Sequence, residues 1–121
     1  MKLYEVHESR RNVYLVMQLV RGGTLEDILP DSKPMKEDCV CQLTRKLLLT
    51  LKYMHAKGIV HRDLKPPNIM LQENADGEIE PVIIDFGLAN VMPPDGSKLN
   101  MSCGSAGYAA PELLAKQGYD T

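Results

Sequence analysis

Apolar, β-branched and aromatic residues gather at Lys2 to His7 and again at Val13 to Val20, with the polar run Glu8-Ser9-Arg10-Arg11-Asn12 between them. Two such segments around a charged turn predict a β-hairpin. Gly22-Gly23 stops the second strand, and Thr24 suits the N-cap of a short helix through Leu29 that Pro30 ends. Pro34 precedes a longer helix, predicted from about Met35 to Lys57, with Gly58 as its C-cap. Along it Val40, Leu43, Leu47, Leu51 and Met54 recur at intervals of three and four, which places them on one core-facing side and leaves Lys46 and Lys52 pointing elsewhere. Ile69 to Gln72 and Pro81 to Ile84 predict two further strands, joined by a segment that carries the hairpin signal Asp76-Gly77. Met92 to Met101, with two prolines and one glycine, reads as a mobile loop. No internal repeat, low-complexity tract or linker interrupts the chain, so one compact unit is predicted.

Composition narrows the partners. With 44% hydrophobic and 25% charged residues the chain has a globular balance, and a formal charge of −2 without a long Lys/Arg run favours neither nucleic acid nor an anionic membrane. No apolar stretch approaches the roughly 18 residues that span a bilayer, and Met1 to Arg11 lacks the apolar core of a signal peptide. The expected setting is therefore intracellular, cytoplasmic by default. Cys39, Cys41 and Cys103 form neither an even disulfide set nor a zinc pattern.

The second hairpin organises the chemistry. Its outer ends meet, so Asn68 and Asp85 become neighbours although 17 positions apart, and two oxygen-bearing side chains at one point suit Mg²⁺. Immediately upstream stands His61-Arg62-Asp63-Leu64-Lys65-Pro66-Pro67-Asn68; Asp85-Phe86-Gly87 and Ala110-Pro111-Glu112 follow. Phosphoryl transfer asks mainly for positioning and charge neutralisation, and these residue types supply both. Asp63 would accept the proton of an attacking hydroxyl, Lys65 would neutralise the γ-phosphate, and Asn68 and Asp85 would hold magnesium.

The three motifs, in this order, resemble the catalytic core of the eukaryotic protein kinase family over nearly the whole chain. The resemblance implies a partial α+β, protein-kinase-like fold, with residues 1–20 as small-lobe strands and hinge and 21–121 as the first part of the large lobe. Lys65 after Asp63 is the serine/threonine pattern. The runs Asp85 to Asn90 and Ser102 to Glu112 are similar to the calmodulin-dependent and AMP-activated group. ATP and Mg²⁺ are then the implied cofactors, and a protein with a Ser or Thr acceptor the implied partner.

Position by position, Met17 matches the gatekeeper, the backbone of Gln18 and Val20 would bond the adenine edge, and Met70 would pack beneath the ring. Thr24 stands where many relatives carry a ribose-binding Glu. Leu3, His61 and Phe86 match a stacked hydrophobic spine, and Ser105 matches the hydroxyl that bonds the catalytic Asp and Lys. Arg62 would pair with an activation-loop phosphate, but the matching position is Met101, which cannot carry one, leaving Ser97 and Ser102 as candidates. Pro67 replaces a usual Glu and stiffens the approach to Asn68.

The family's glycine-rich loop, its strand Lys and the helix Glu that holds that Lys have no counterpart upstream of Leu3, and the Arg that would pair with Glu112 lies beyond the segment given. About half a catalytic domain is covered. Each unburied Leu or Val forfeits roughly 1.5–3 kcal/mol against a net stability of about 5–15, so the segment alone is expected to be marginally stable, with exposed apolar surface that favours association. A non-catalytic scaffold or regulatory binding module is the alternative reading.

Overall fold

The computed structural model describes residues 1–29 and 34–121. Strands β1 (Leu3–Glu8) and β2 (Val13–Met17) form the first predicted hairpin, closed by the Ser9 N–H on the Asn12 carbonyl at 2.8 Å. The second strand ends at Met17 rather than Val20, although the Gln18 N–H still reaches the Lys2 carbonyl at 2.8 Å. Val20 then turns inward and is buried. This ribbon is open on both faces, from 41% exposed at Met17 to 61% at Val13. Its side-chain tie to the rest of the molecule is the amide pair Gln18 Nε2 to Gln72 Oε1, at 2.8 Å.

Helix α1 (Leu25–Ile28) starts at Thr24 as predicted; the residue expected to end it, Pro30, lies outside the described residues. Helix α2 (Glu37–Ala56) begins later than the Met35 expected, because Lys36 is extended (ψ 138°) and offers no side-chain cap. Glu37 and Asp38 in its first turn meet the positive end of the helix dipole instead. At the other end Gly58 takes φ 69° and its N–H bonds the His55 carbonyl, the left-handed closure that glycine permits.

Lys46 corrects the reading of that helix. Its ammonium does not point away but lies against the second hairpin, donating to Glu80 Oε1 at 2.7 Å, the Ile79 carbonyl at 3.0 Å and Glu78 Oε2 at 3.2 Å. Position 46 belongs to the docked side with Leu43, Leu47, Leu51 and the buried Met54, whereas Val40 is exposed. A long aliphatic stem with a charged tip can share an apolar face when acids wait at its end.

Strands β4 (Ile69–Glu73) and β5 (Ile79–Ile83) form the second hairpin, with β5 starting two residues before the expected Pro81. Asn74 shapes the turn: its Oδ1 accepts from the N–H of Asp76 and of Glu78, and Gly77 takes φ 78°. Pro81 fits opposite Leu71 because the Leu71 N–H points the other way, to the Gly23 carbonyl at 2.9 Å. That makes the pair one in which neither N–H serves the ladder, and proline's missing donor costs nothing. Gly22 lies so close to this edge that a Cβ would collide with the Leu71 carbonyl oxygen.

A short pairing of β3 (Ile59–Val60) with β6 (Asn90–Val91) was not foreseen. With it, the expected free loop of Met92 to Met101 is tied at both ends: the Met92 N–H bonds the Gly58 carbonyl, and Leu99, buried, exchanges two 2.9 Å hydrogen bonds with Tyr119. Helix α3 (Pro111–Leu114) completes the chain. The core runs through Val20, Met54, Val60, Ile69, Leu71, Ile83 and Leu99, and the polar residues within it are His61 and Asn68. Among the described residues no helix is long and apolar enough to cross a membrane.

Candidate active site

Both polar residues of the core bracket one loop. His61, 1% exposed, accepts the Asp63 N–H on Nδ1 at 3.3 Å and donates from Nε2 to the Ile84 carbonyl at 2.9 Å. Those partners require the ring proton on Nε2. Its edge also meets Phe86, with centroids 5.1 Å apart and planes at 66°. The imidazole therefore staples the loop that carries Asp63 to the strand end that carries Asp85. Leu3, the third expected member of the stack, is half exposed opposite Met17.

Asp63 is the centre of the cluster. Its Oδ2 lies 2.8 Å from Lys65 Nζ and accepts from Asn68 Nδ2 at 3.1 Å, while Oδ1 accepts the Ser105 N–H at 2.9 Å. Lys65 also donates to Ser105 Oγ at 2.7 Å. Pro66 and Pro67 stand at the first positions of a single 3-10 turn, Pro66–Asn68, where an N–H has no partner to lose. The turn brings Asn68 back beneath Asp63, whose carbonyl its Nδ2 also bonds at 2.9 Å.

The Lys65 ammonium first, and the Ser105 hydroxyl next, hold the Asp63 carboxyl down from 3.8 to about 2, against the desolvation that would raise it. A carboxyl depressed on folding adds stability that is present above its unfolded value and lost as pH falls through its folded one. For Asp63 that window lies between 3.8 and about 2. In an NMR titration Asp63 should remain ionised to about pH 2, and Lys65→Met should move its midpoint back toward 3.8. An unmoved midpoint in that variant would show that the lysine does not set it.

The Ile84 N–H bonds the Asn68 carbonyl at 3.0 Å, so Asp85 follows directly on the residue that pairs with Asn68. Asp85 is left-handed (φ 58°) and accepts the Gly87 N–H on Oδ1 at 3.1 Å, leaving its other oxygen free of hydrogen bonds among the described residues. Asn68 spends its amide N–H groups on Asp63 and keeps Oδ1. Among the described residues no three His, Cys, Asp or Glu converge. Two oxygen ligands fit Mg²⁺, which keeps waters and binds through one or two side chains plus phosphate oxygens.

Four of the five expected nucleotide positions lie between the end of β2 and the cap of α1, and the fifth, Met70, is on β4. Met17 is exposed at the end of β2, and neither the Gln18 carbonyl nor the Val20 N–H takes a backbone partner among the described residues. Thr24 stands opposite Met70 in an isolated antiparallel bridge. Its hydroxyl is engaged in a capping box: it accepts the Asp27 N–H at 3.2 Å and donates to Asp27 Oδ2 at 2.8 Å. The acid three residues after Thr24 was the signal for this.

Arg62, itself at φ 69°, donates from Nε to the Leu88 carbonyl at 2.6 Å and from Nη1 to the Tyr119 hydroxyl at 3.3 Å. Tyr119 and Gly104 are the neighbours that the motifs did not reveal. Gly104 (φ 103°) presses so near that a Cβ would fall 2.5 Å from the Arg62 carbonyl oxygen. Glu112 is exposed in the first turn of α3 and takes no side-chain partner among the described residues.

Comparison with known proteins identifies the family. A family model described as the protein kinase domain matches residues 1–121. Ribosomal protein S6 kinase alpha-4 of Homo sapiens is 43% identical over 121 residues, covering 98% of this chain and 15% of its own. Sperm motility kinase 2B of Mus musculus is 42% identical over 118 residues (98% and 23%), and SNF1-related protein kinase catalytic subunit alpha KIN12 of Arabidopsis thaliana 41% over 116 (96% and 22%). The chain spans 15 to 23% of the length of these three relatives. A fold of mixed helices and strands, a family model matched from end to end and relatives above 40% identity lead to one conclusion: the chain belongs to the protein kinase family, on its serine/threonine side.

Proposed function

We propose that the protein transfers the γ-phosphate of Mg-ATP to Ser or Thr hydroxyls of protein substrates. The observation that carries this reading is the Asp63 carboxylate held by Lys65, Asn68 and the Ser105 N–H. A carboxylate this acidic keeps a proton poorly. Its part is to orient the hydroxyl through a hydrogen bond and to take the proton as charge moves onto the transferring group. Lys65 neutralises that charge. Bound through Asn68 and Asp85, Mg²⁺ would supply charge neutralisation between the phosphates.

In this reading residues 1–20 are small-lobe strands and hinge, and 21–121 the large-lobe portion. Met17 guards the adenine pocket, the Gln18 carbonyl and Val20 N–H read the adenine edge, Met70 lies below it, and Thr24 faces the ribose. Ser105 ties Asp63 to Lys65, Arg62 orders the segment after Asp85, and Glu112 is the partner of the Arg that the family places further along. A reaction that draws on ATP fits an intracellular, cytoplasmic setting. A scaffold role is the second reading, favoured by the outward apolar side of α2, where Leu48 is 60%, Leu49 57% and Tyr53 67% exposed.

Calorimetry decides between them. The intact protein is expected to bind ATP in a Mg²⁺-dependent manner, and Asp85→Ala to remove that dependence. Absence of binding by a folded sample would overturn the kinase reading in favour of the scaffold.

A further inference from the structure

The segment between β6 and α3 returns to the Asp63 cluster at Ser105, and something must fix where it lands. Four residues earlier, the Met101 carbonyl accepts a hydrogen bond from the Tyr119 hydroxyl at 2.8 Å. The same hydroxyl accepts from Arg62 Nη1 at 3.3 Å, and Arg62 is next to Asp63. Tyr119 thus joins the loop of Asp63 to the segment of Ser105 through one oxygen. Its own backbone is locked to the buried Leu99 by two 2.9 Å hydrogen bonds, so the ring is anchored before the hydroxyl acts.

We propose that Tyr119 is a positioning residue: a fixed, phosphate-independent clamp that holds Met101 to Arg62 and so sets the place of Ser105 against Asp63 and Lys65. The inference rests on the kinase reading only for its catalytic consequence. Met101 cannot be charged, and the segment has no side-chain anion aimed at Arg62 among the described residues. The cationic donor is met by a phenol oxygen and by the Leu88 carbonyl instead. The shorter of the hydroxyl's two bonds, 2.8 Å to the Met101 carbonyl, fixes the segment, and the Arg62 contact joins it to a loop 57 positions away in sequence.

Tyr119→Phe keeps the ring and deletes the clamp. In the intact protein, amide exchange over Met101 to Ser105 should rise about fivefold to tenfold, and kcat/KM for a peptide substrate should fall by a similar factor, with the Kd for Mg-ATP unchanged. Adding Met101→Glu to that variant supplies a carboxylate to Arg62 and should restore both, which a merely structural loss would not allow. Unchanged exchange in Tyr119→Phe would overturn the clamp, as would a double variant no better than the single one. Exchange needs no turnover, so it decides the clamp even where phosphoryl transfer is absent and the kinase reading fails.

Discussion

Asp63→Asn in the intact protein is expected to lower single-turnover phosphoryl transfer by about 10²- to 10⁴-fold while leaving Mg-ATP affinity in place. The substitution keeps the shape of the side chain and removes its charge. It also breaks the acceptor pattern: Oδ1 receives the Ser105 N–H, and Oδ2 receives Asn68 Nδ2 beside the Lys65 ammonium. An amide places its NH₂ against one of those donors whichever way it turns, so the cluster loosens as well as losing its proton acceptor. A transfer rate within about tenfold of the parent would remove Asp63 from the centre of the chemistry.

Gly104→Ala is expected to cost about 10²-fold in the same assay, although the new methyl would collide with the Arg62 backbone and reach Asp63 Oδ1 only at an ordinary contact distance of 3.7 Å. Two effects combine. The backbone there has φ 103°, which side chains rarely adopt, and the added carbon would lie 2.5 Å from the Arg62 carbonyl oxygen, so the segment must retreat. Ser105 is the next residue, and its N–H holds Asp63 at 2.9 Å. Gly107→Ala is the control, since its site is open with nothing within 4 Å, and it should remain near the parent rate. Equal rates for both variants would show that the approach of Gly104 to Arg62 does not position Ser105.

The motif residues were legible because Asp63, Lys65 and Asn68 share one short loop and one turn. Asn68 and Asp85 were legible through the hairpin, since antiparallel pairing is a rule about ends. Other links are long-range and leave no period in the chain: Asp63 to Ser105 spans 42 positions, and Arg62 to Tyr119 spans 57. The family resemblance supplied Ser105, and nothing pointed to Tyr119. Lys46 was misplaced because charge was taken to mean solvent, while its acids Glu78 and Glu80 lie more than thirty residues away. Thr24 was legible as the cap of α1, and the acid three residues on, Asp27, completes its capping box. There the Thr24 N–H and hydroxyl hold the Asp27 carboxyl below its usual range.

The register of β4 against β5 works as a vernier. Ile69 is opposite Ile83 and Glu73 opposite Ile79, so the distance from Asn68 to Asp85 is counted out residue by residue along two rails. Adding one residue within a rail would turn outward the buried positions on one side of the insertion, Ile69 or Leu71 in β4 or Ile83 in β5, and slide one magnesium ligand past the other. A residue added between Asn74 and Glu78 changes only the turn. Length variation across a lineage should therefore collect in that turn and be purged from the rails, making the hairpin a place where insertions record tolerance and their absence records geometry.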